Sequence, residues 1–227
     1  MSKSIFPPPD CADENGIVAV SREIHPEMLK DSYAHGIFPW PFGEKYDFIP
    51  WCAPLVRGVI MLDRFHIPSS FVREMKKLKF TCRVDQNFSE VIRACAAAER
   101  PEQSGTWITQ EITDAYCRFH QMGYAHSFET YDESNQLVGG LYGISVGRIF
   151  CGESMFYKVS GASKFAFVKM AEVLKALGVV LIDTQMVTNA TAAFGAVEIP
   201  SKEYIRLLKE YGGKPLDFSR FAQEKSV

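Results

Sequence analysis

The sequence predicts an α+β fold in which a mixed sheet carries helices on its faces. Three observations predict it. Two apolar segments, LVGGLYGISV and IFCGESMF, flank the tight Gly147-Arg148 turn and read as an antiparallel hairpin. A helix-period segment from about Ala162, apolar at Phe165, Val168, Leu174 and Leu177, is closed by Gly178. It then runs into VVLIDTQ, a β-branched stretch that reads as a further strand and adds a parallel component.

The remaining elements follow in order. Residues 1–56 are rich in Pro, Gly and aromatics and are expected to form a small, irregular N-terminal domain. It holds one helix over Pro26 to His35, ended by Gly36 in the left-handed conformation, and rigid aromatic turns at IFPWPFG and FIPWCAP. Residues 57–227 are expected to form the larger domain. RGVIML reads as a strand, SSFVREMKK as a helix and KFTCRV as an alternating strand. Asp85 is placed to cap a helix carrying Phe88, Val91, Ile92 and Cys95. Another helix starts near Thr109, with Ile112, Ala115, Tyr116 and Phe119 on one face, and stops at Gly123. AHSFETYD and LVGGLYGISV read as strands joined by a polar turn at Glu133 to Asn135. A last helix is predicted over Ser201 to Tyr211, and the tail after Gly213 is expected to be loosely held.

Composition bounds the function. With 227 residues, 47% hydrophobic and 23% charged, the chain is long enough to bury a substantial core. A formal net charge of −2 excludes a generally basic nucleic-acid coat while leaving room for a local basic patch. The six cysteines are scattered without a C-x-x-C pair and read as small core residues, and the five histidines are too dispersed for a metal site. No apolar targeting segment or 18-residue apolar run occurs, so a cytoplasmic chain without membrane attachment is expected.

The chemistry concentrates in two segments. Side chains two apart on a strand share a face, so Asp183 and Gln185 are predicted to point together at the end of an apolar run. A carboxylate there is costly to bury unless it is hydrogen-bonded. It serves either as a structural cap or as the partner that orients and polarises the amide. Glu153, in FCGESMFYKVSGASKFAF, stands beside two phenylalanines and a methionine, and two acids against an apolar pocket point to an active centre.

The segments GIFPW, TWIT, AYCRFHQMGYAHS, LVGGLYG, CGESMF, ASK, LIDTQ and FGAVEIP carry a resemblance. In this order and spacing the chain, from about Asn15 to Leu208, resembles bacterial leucyl/phenylalanyl-tRNA–protein transferases. The resemblance implies a small N-terminal domain followed by a GNAT-like acyltransferase domain. It also implies transfer of a leucyl or phenylalanyl group from the 3′ CCA end of tRNA to the N-terminal Arg or Lys of a protein, within N-end rule degradation. Neither metal nor coenzyme is implied, because the aminoacyl ester is already activated, and a monomer is expected. Asp183 and Gln185 take the catalytic positions, and Glu153 is carried over as a partner of the substrate amine or the acceptor's cationic side chain. Leu141, Phe150, Met155, Phe167, Met170, Leu174 and Ile182 match or adjoin the apolar slot. Trp40 and Trp107 match a stacking platform for the terminal adenosine. Arg73, Lys76, Lys77 and Lys79, in a stretch whose only acid is Glu74, match the region that holds tRNA phosphates. Each residue has a structural alternative: core packing for the apolar ones, a solvated helix face for the cations.

The chain also departs from that pattern. Ser21, Arg22 and Glu23 replace Gly-Gly-Asp, and WCAPLVR keeps only Trp51, Pro54 and Arg57 of W-W-S-P-x-P-R. Thr184 replaces a cysteine, Ala190 and Ala193 replace a histidine and a serine, Phe194 replaces a leucine, and Phe167 is bulkier than the leucine expected there. Three rival readings stand beside the resemblance. One is an acyl-CoA N-acyltransferase that uses the YKVSGAS turn as an anion cradle. Another is a non-catalytic tRNA or peptide binder. The third, a serine hydrolase, is disfavoured because Gly143 to Gly147 (G-x-S-x-G) precedes a hairpin instead of a strand-to-helix elbow.

Overall fold

The computed structural model describes residues 4–40, 48–98 and 106–223, so Pro41 to Gly43 of the expected aromatic turn lie outside the described residues. The N-terminal segment is more regular than its composition predicts. Strand β1 (Ile17–Ser21), helix α1 (Pro26–Ala34), β2 (Phe38–Pro39) and β3 (Ile49–Cys52) include a three-stranded antiparallel sheet in the order β1-β3-β2. Pro26 opens α1, where its missing N–H costs nothing, and Gly36 leaves the helix at φ +78°.

The chain continues through β4 (Val56–Met61), α2 (Ser69–Met75), β5 (Thr81–Val84), α3 (Phe88–Ala97) and α4 (Gln110–Gln121). The hairpin follows as β6 (Ala125–Tyr131), β7 (Leu137–Val146) and β8 (Ile149–Tyr157), then α5 (Ala162–Ala176) and β9 (Leu181–Gln185). A short α6 (Asn189–Ala192), β10 (Val197–Pro200), α7 (Ser201–Tyr211) and α8 (Ser219–Ala222) complete it. The large sheet has seven strands in the order β10-β4-β9-β8-β7-β6-β5. Only β8 and β9 pair in parallel, across the α5 crossover. This is the mixed α+β arrangement expected.

Two local expectations need correction. Asp85 does not cap α3: it adopts φ +57° and accepts from the Ser127 N–H at 2.8 Å, while its other oxygen lies 2.7 Å from His126 Nδ1. Glu129 of the neighbouring strand instead holds the two residues that lead into α3, accepting from the backbone N–H groups of Gln86 and Asn87 at 2.9 and 2.8 Å. Nor is the described part of the tail, up to residue 223, loose. Phe218 and Phe221 are buried, and the His126 ring stacks on Phe218 at a centroid distance of 3.7 Å. Thr109 does cap α4, accepting from the Ile112 N–H at 3.3 Å.

Core packs on both sheet faces. Against one face lie α3, α4 and the N-terminal segment, with Trp51, Leu29, Ile37, Ile92 and Phe119 in one continuous cluster. Against the other lies α5, packing Val168, Met170 and Leu174 on Phe128, Phe150 and Ile182. Cys52, Cys82, Cys95 and Cys151 are buried thiols, as their apolar settings predict, and Cys117 is half-buried, whereas Cys11 is exposed and is not the core residue expected. Among the described residues no helix is long and apolar enough to cross a membrane.

Three irregularities shape the middle of the sheet. Strands β8 and β9 are in register only from Ile149–Leu181 to Cys151–Asp183, after which each runs on without the other. A bulge in β8 sets Tyr142 opposite Ser154 and Gly143 opposite Gly152, leaving Glu153 as the extra residue. A second sets Gly58 opposite Gln185 and Val59 opposite Asp183, leaving Thr184 extra. Gly58 permits the second bulge, because a Cβ there would lie 2.4 Å from the Met186 carbonyl carbon. Gly58→Ala is therefore expected to destabilise the fold by about 1–3 kcal/mol in urea unfolding, by displacing backbone just after β9.

Candidate active site

The parting of β8 from β9 opens a cavity of about 290 Å³. Gln185 and Glu153 line it together with Trp40, Trp107, Leu141, Met155, Phe167, Met170 and Ile182. Nine of the sequence-derived candidates thus share one cavity, although they come from residues far apart in the chain. Phe150 and Leu174 do not join them: both are fully buried in the core behind it. Arg73, Lys76, Lys77 and Lys79 are exposed elsewhere on the surface. Helix α2 ends at Met75, so Lys76 is its C-terminal cap and Lys77 lies in the following turn, not along the helix as expected. Lys79 pairs with Glu133 at 3.0 Å.

The two indoles are nearly parallel, 8° apart, with centroids separated by 6.4 Å. The apolar end is walled by Phe167, whose ring packs on Phe194 at 5.0 Å and Phe65 at 6.1 Å, while Met155 and Met170 supply adaptable surface.

Asp183 is not in the lining. It is fully buried, and its carboxylate is saturated by protein donors. Arg57 Nε and Nη2 donate to it at 2.9 and 2.6 Å, the Tyr204 hydroxyl at 2.8 Å and the Gln185 backbone N–H at 2.9 Å. Burial pulls the Arg57 guanidinium down, but Asp183 beside it more than compensates and keeps it charged. The guanidinium is held between the rings of Phe38 and Tyr204, 4.4 and 4.5 Å away, and its Nη1 donates to the Gly36 carbonyl at 3.2 Å. Asp183 therefore does not polarise the Gln185 amide, as the two-residue spacing predicted. It fixes the Gln185 main chain instead.

The spacing misleads because the bulge breaks the alternation. Gln185 adopts φ +56°, a left-handed conformation costly for a residue with a side chain, and turns its amide into the cavity. There its nitrogen donates to Glu153 Oε1 at 3.2 Å. With the nitrogen so engaged, the amide carbonyl is the group left to accept from an incoming N–H. Glu153 lies deep in the molecule yet borders the cavity. Burial pushes its carboxyl up to about 8, against the opposing pull of the Tyr33 hydroxyl, with Asp183 raising it further.

Sequence reasoning did not single out Arg57, Tyr204, Tyr33 or Tyr116 as site residues. Arg57 left a signal, since a carboxylate at the end of a buried strand needs a cation and WCAPLVR retains one. The tyrosines left none, because nothing in their spacing distinguishes them from core.

Two measurements check this geometry. Asp183→Ala strands a buried guanidinium, so it is expected to lose about 3–5 kcal/mol of stability in urea unfolding, and the Arg57→Met/Asp183→Leu double variant markedly less. Glu153 and Glu129, the latter raised by burial to about 7, hold protons in the native state that an ordinary carboxyl of 4.5 has released. The native state therefore binds more protons than the unfolded one across that window, and stability falls as pH rises from about 4.5 through 8. The thermal midpoint should drop between pH 5 and 8.5, and Glu153→Gln should flatten the upper part of that fall.

Comparison with known proteins adds the last observation. Residues 59–209 match the family model described as leucyl/phenylalanyl-tRNA protein transferase. The chain is 44% identical over 212 residues to the leucyl/phenylalanyl-tRNA–protein transferase of Anaeromyxobacter sp. (strain Fw109-5), covering 93% of this chain and 87% of that protein. It is 42% identical over 208 residues to the one from Hydrogenovibrio crunogenus, covering 91% and 80%. Solved structures are more distant: L-PGS from Bacillus licheniformis superposes with a TM-score of 0.42 at 14% identity, covering 78% of this chain and 55% of that one. On the family match and the extent of these identities, the chain belongs to the leucyl/phenylalanyl-tRNA–protein transferase family.

Proposed function

We propose that this protein is an aminoacyltransferase that moves a leucyl or phenylalanyl residue from the 3′ end of aminoacyl-tRNA to the N-terminus of a protein. One observation carries the reading beyond family membership. A single cavity holds two parallel indoles, an apolar wall of Leu141, Met155, Phe167, Met170 and Ile182, and the polar pair Gln185–Glu153. Those three parts match the adenine, the apolar side chain and the ester-plus-amine centre of the reacting substrates.

In this reading Trp40 and Trp107 clamp the terminal base without reading sequence. The aminoacyl side chain enters the apolar wall, which sets its ester carbon beside Gln185. The acceptor's terminal nitrogen donates to the Gln185 carbonyl, which aims its lone pair at that carbon, so much of the acceleration comes from positioning two bound reactants. Asp183, Arg57 and Tyr204 act through the Gln185 backbone as positioning residues. Glu153 provides the negative or hydrogen-bonding counterpart for an acceptor beginning with Arg or Lys. The exposed cations Arg73, Lys76, Lys77 and Lys79 contact tRNA phosphates. The protein acts as a monomer in the cytoplasm, feeding N-end rule degradation.

The test is transfer itself. Incubated with separately charged tRNAs and peptides beginning with Arg or Lys, the protein is expected to extend those peptides by one residue from leucyl- or phenylalanyl-tRNA. Mass spectrometry that finds no extension from either donor overturns the reading. Trp40→Ala and Trp107→Ala are each expected to raise KM for aminoacyl-tRNA by about 5- to 150-fold, the worth of one base stack. Neutralising Arg73, Lys76 and Lys77 should flatten the salt dependence of tRNA binding.

A further inference from the structure

We propose that the acceptor polypeptide adds a parallel strand to the open side of β8, pairing its main chain with Met155 and Tyr157 where β9 has turned away. The inference rests on the aminoacyl-transfer reading and assigns how the acceptor chain is held once its terminal nitrogen has reached Gln185.

Strand β8 has two strand neighbours for only part of its length. From Ile149 to Cys151 it lies between β7 and β9, and all three residues are buried. Beyond Cys151 the pairing with β9 ends, while that with β7 runs on to Tyr157. Residues 152–155 become half-buried and Tyr157 is 66% exposed. Exposure thus begins where the neighbour leaves. Main-chain geometry tells which groups face the opening. Lys158 donates its N–H to the Val138 carbonyl at 2.7 Å. Bonded and non-bonded positions alternate along an antiparallel pair, so in this register the bonded pairs are Phe156–Gly140 and Ser154–Tyr142. The main-chain N–H and C=O groups of Met155 and Tyr157 therefore point away from β7, toward the side that β9 has left.

Strand β9 does not supply their partners. In a continued ladder the Gln185 N–H would bond across to β8, but here it donates to Asp183 Oδ1 at 2.9 Å. The Thr184 carbonyl accepts from the Met186 N–H at 2.6 Å, and the Thr184 hydroxyl donates to the Met186 carbonyl at 3.1 Å. The end of β9 thereby closes on itself. Both parting strands line the same cavity, β8 through Gly152 to Met155 and β9 through Thr184 and Gln185. A strand edge left open in this way is a template for another chain, which it holds by main-chain hydrogen bonds.

The occupant follows from where this open edge begins. Glu153 and Gln185 stand at its root, 3.2 Å apart, and in the transfer reading the acceptor's terminal nitrogen sits at the Gln185 carbonyl. The polypeptide behind that nitrogen has to leave the cavity, and β8 runs outward from Glu153 to the exposed Tyr157. A chain that follows it runs parallel to β8, in the direction β9 held. In a parallel pair each bonded residue serves the two partners that flank the residue opposite. With acceptor residue 2 opposite Met155, the Met155 N–H donates to the carbonyl of acceptor residue 1, and the Met155 carbonyl accepts from the N–H of residue 3. Tyr157 then serves the carbonyl of residue 3 and the N–H of residue 5. Both strands advance about 3.3 Å per residue, so the register holds along the edge. Main-chain bonds grip without reading side chains, which suits acceptors that share only their first residue.

The experiment measures kcat/KM at saturating leucyl-tRNA for Arg-initiated pentapeptides, each N-methylated at one backbone nitrogen. Methylation at residue 3 removes a donor that faces β8 and is expected to lower kcat/KM about fivefold or more, the worth of one main-chain hydrogen bond. Methylation at residue 4, whose N–H faces away, should leave it within about twofold. On the protein side, Tyr157→Pro removes an N–H that β7 does not use, so the β7–β8 ladder survives. It should raise KM for the peptide about threefold or more above that of Tyr157→Ala, which keeps the N–H and loses the same ring. An unchanged rate with the residue-3 peptide, or equal losses at residues 3 and 4, overturns the added strand while leaving aminoacyl transfer intact. A Tyr157→Pro effect that falls on KM for leucyl-tRNA alone also overturns it and gives the open edge to the tRNA end. A wild-type chain that extends no acceptor overturns the transfer reading instead. Should Tyr157→Pro fold poorly by thermal unfolding, the peptide series on the unaltered chain decides.

Discussion

Arg57 and Asp183 form a fully buried ion pair on which the rest of the site depends. Removing two charges from water is expensive, and such a pair persists only where geometry and further hydrogen bonds satisfy what the Coulomb attraction leaves over. Here they do. Every oxygen of Asp183 is engaged, and the guanidinium bonds the Gly36 carbonyl while two aromatic faces enclose it. The pair thereby ties together β4, β9, α7 and the N-terminal segment just after α1. Since Asp183 also accepts from the Gln185 N–H, the same knot holds a non-glycine residue in the left-handed conformation. The strain at Gln185 is tolerable because the ion pair over-determines it.

The cavity then follows from strand geometry. A sheet leaves no room between hydrogen-bonded neighbours, so a ligand can reach its centre only where two strands part. The bulges at Glu153 and Thr184 lie just beyond the three registered pairs of β8 and β9, and they end the ladder there. One consequence is that both bulged segments turn polar side chains into the gap. Glu153 and Gln185 meet across it, although their strands are no longer paired. Burial pushes the Glu153 carboxyl up to about 8, while Tyr33 from α1 and Tyr116 from α4 contact it from the core side. The N-terminal segment contributes Trp40 and Tyr33, so it belongs to the site as much as the large sheet does.

Much of this architecture was legible. Hydrophobic period placed α4, α5, β7, β8 and β9 close to where they occur, and Gly36, Gly123 and Gly178 marked turns at positive φ. The irregular tail and N-terminal segment were not, because their order comes from contacts made after folding. Phe218 is fixed by the ring of His126, and the short β1–β3–β2 sheet by a core shared with α3 and α4. Asp85 looked like a helix cap because its type and position suited one. Its carboxylate instead serves His126 and Ser127, which no local rule could anticipate.

From sequence alone came the fold class, the family resemblance and the residue types that gather in the cavity: two indoles, an apolar set, an acid and an amide. These are written in periodicity and in motif order, both properties of the linear chain. Tertiary structure alone decided which acid faces the cavity. Alternation along a strand put Asp183 and Gln185 on one face, but a bulge inserts one residue and reverses that parity. Whether a bulge forms depends on a neighbour 126 residues away, where Arg57 must meet Asp183 and Gly58 must let the backbone close in. Long-range pairing of that kind leaves no trace in local spacing, and it is what set Asp183 behind the wall and Glu153 in front of it.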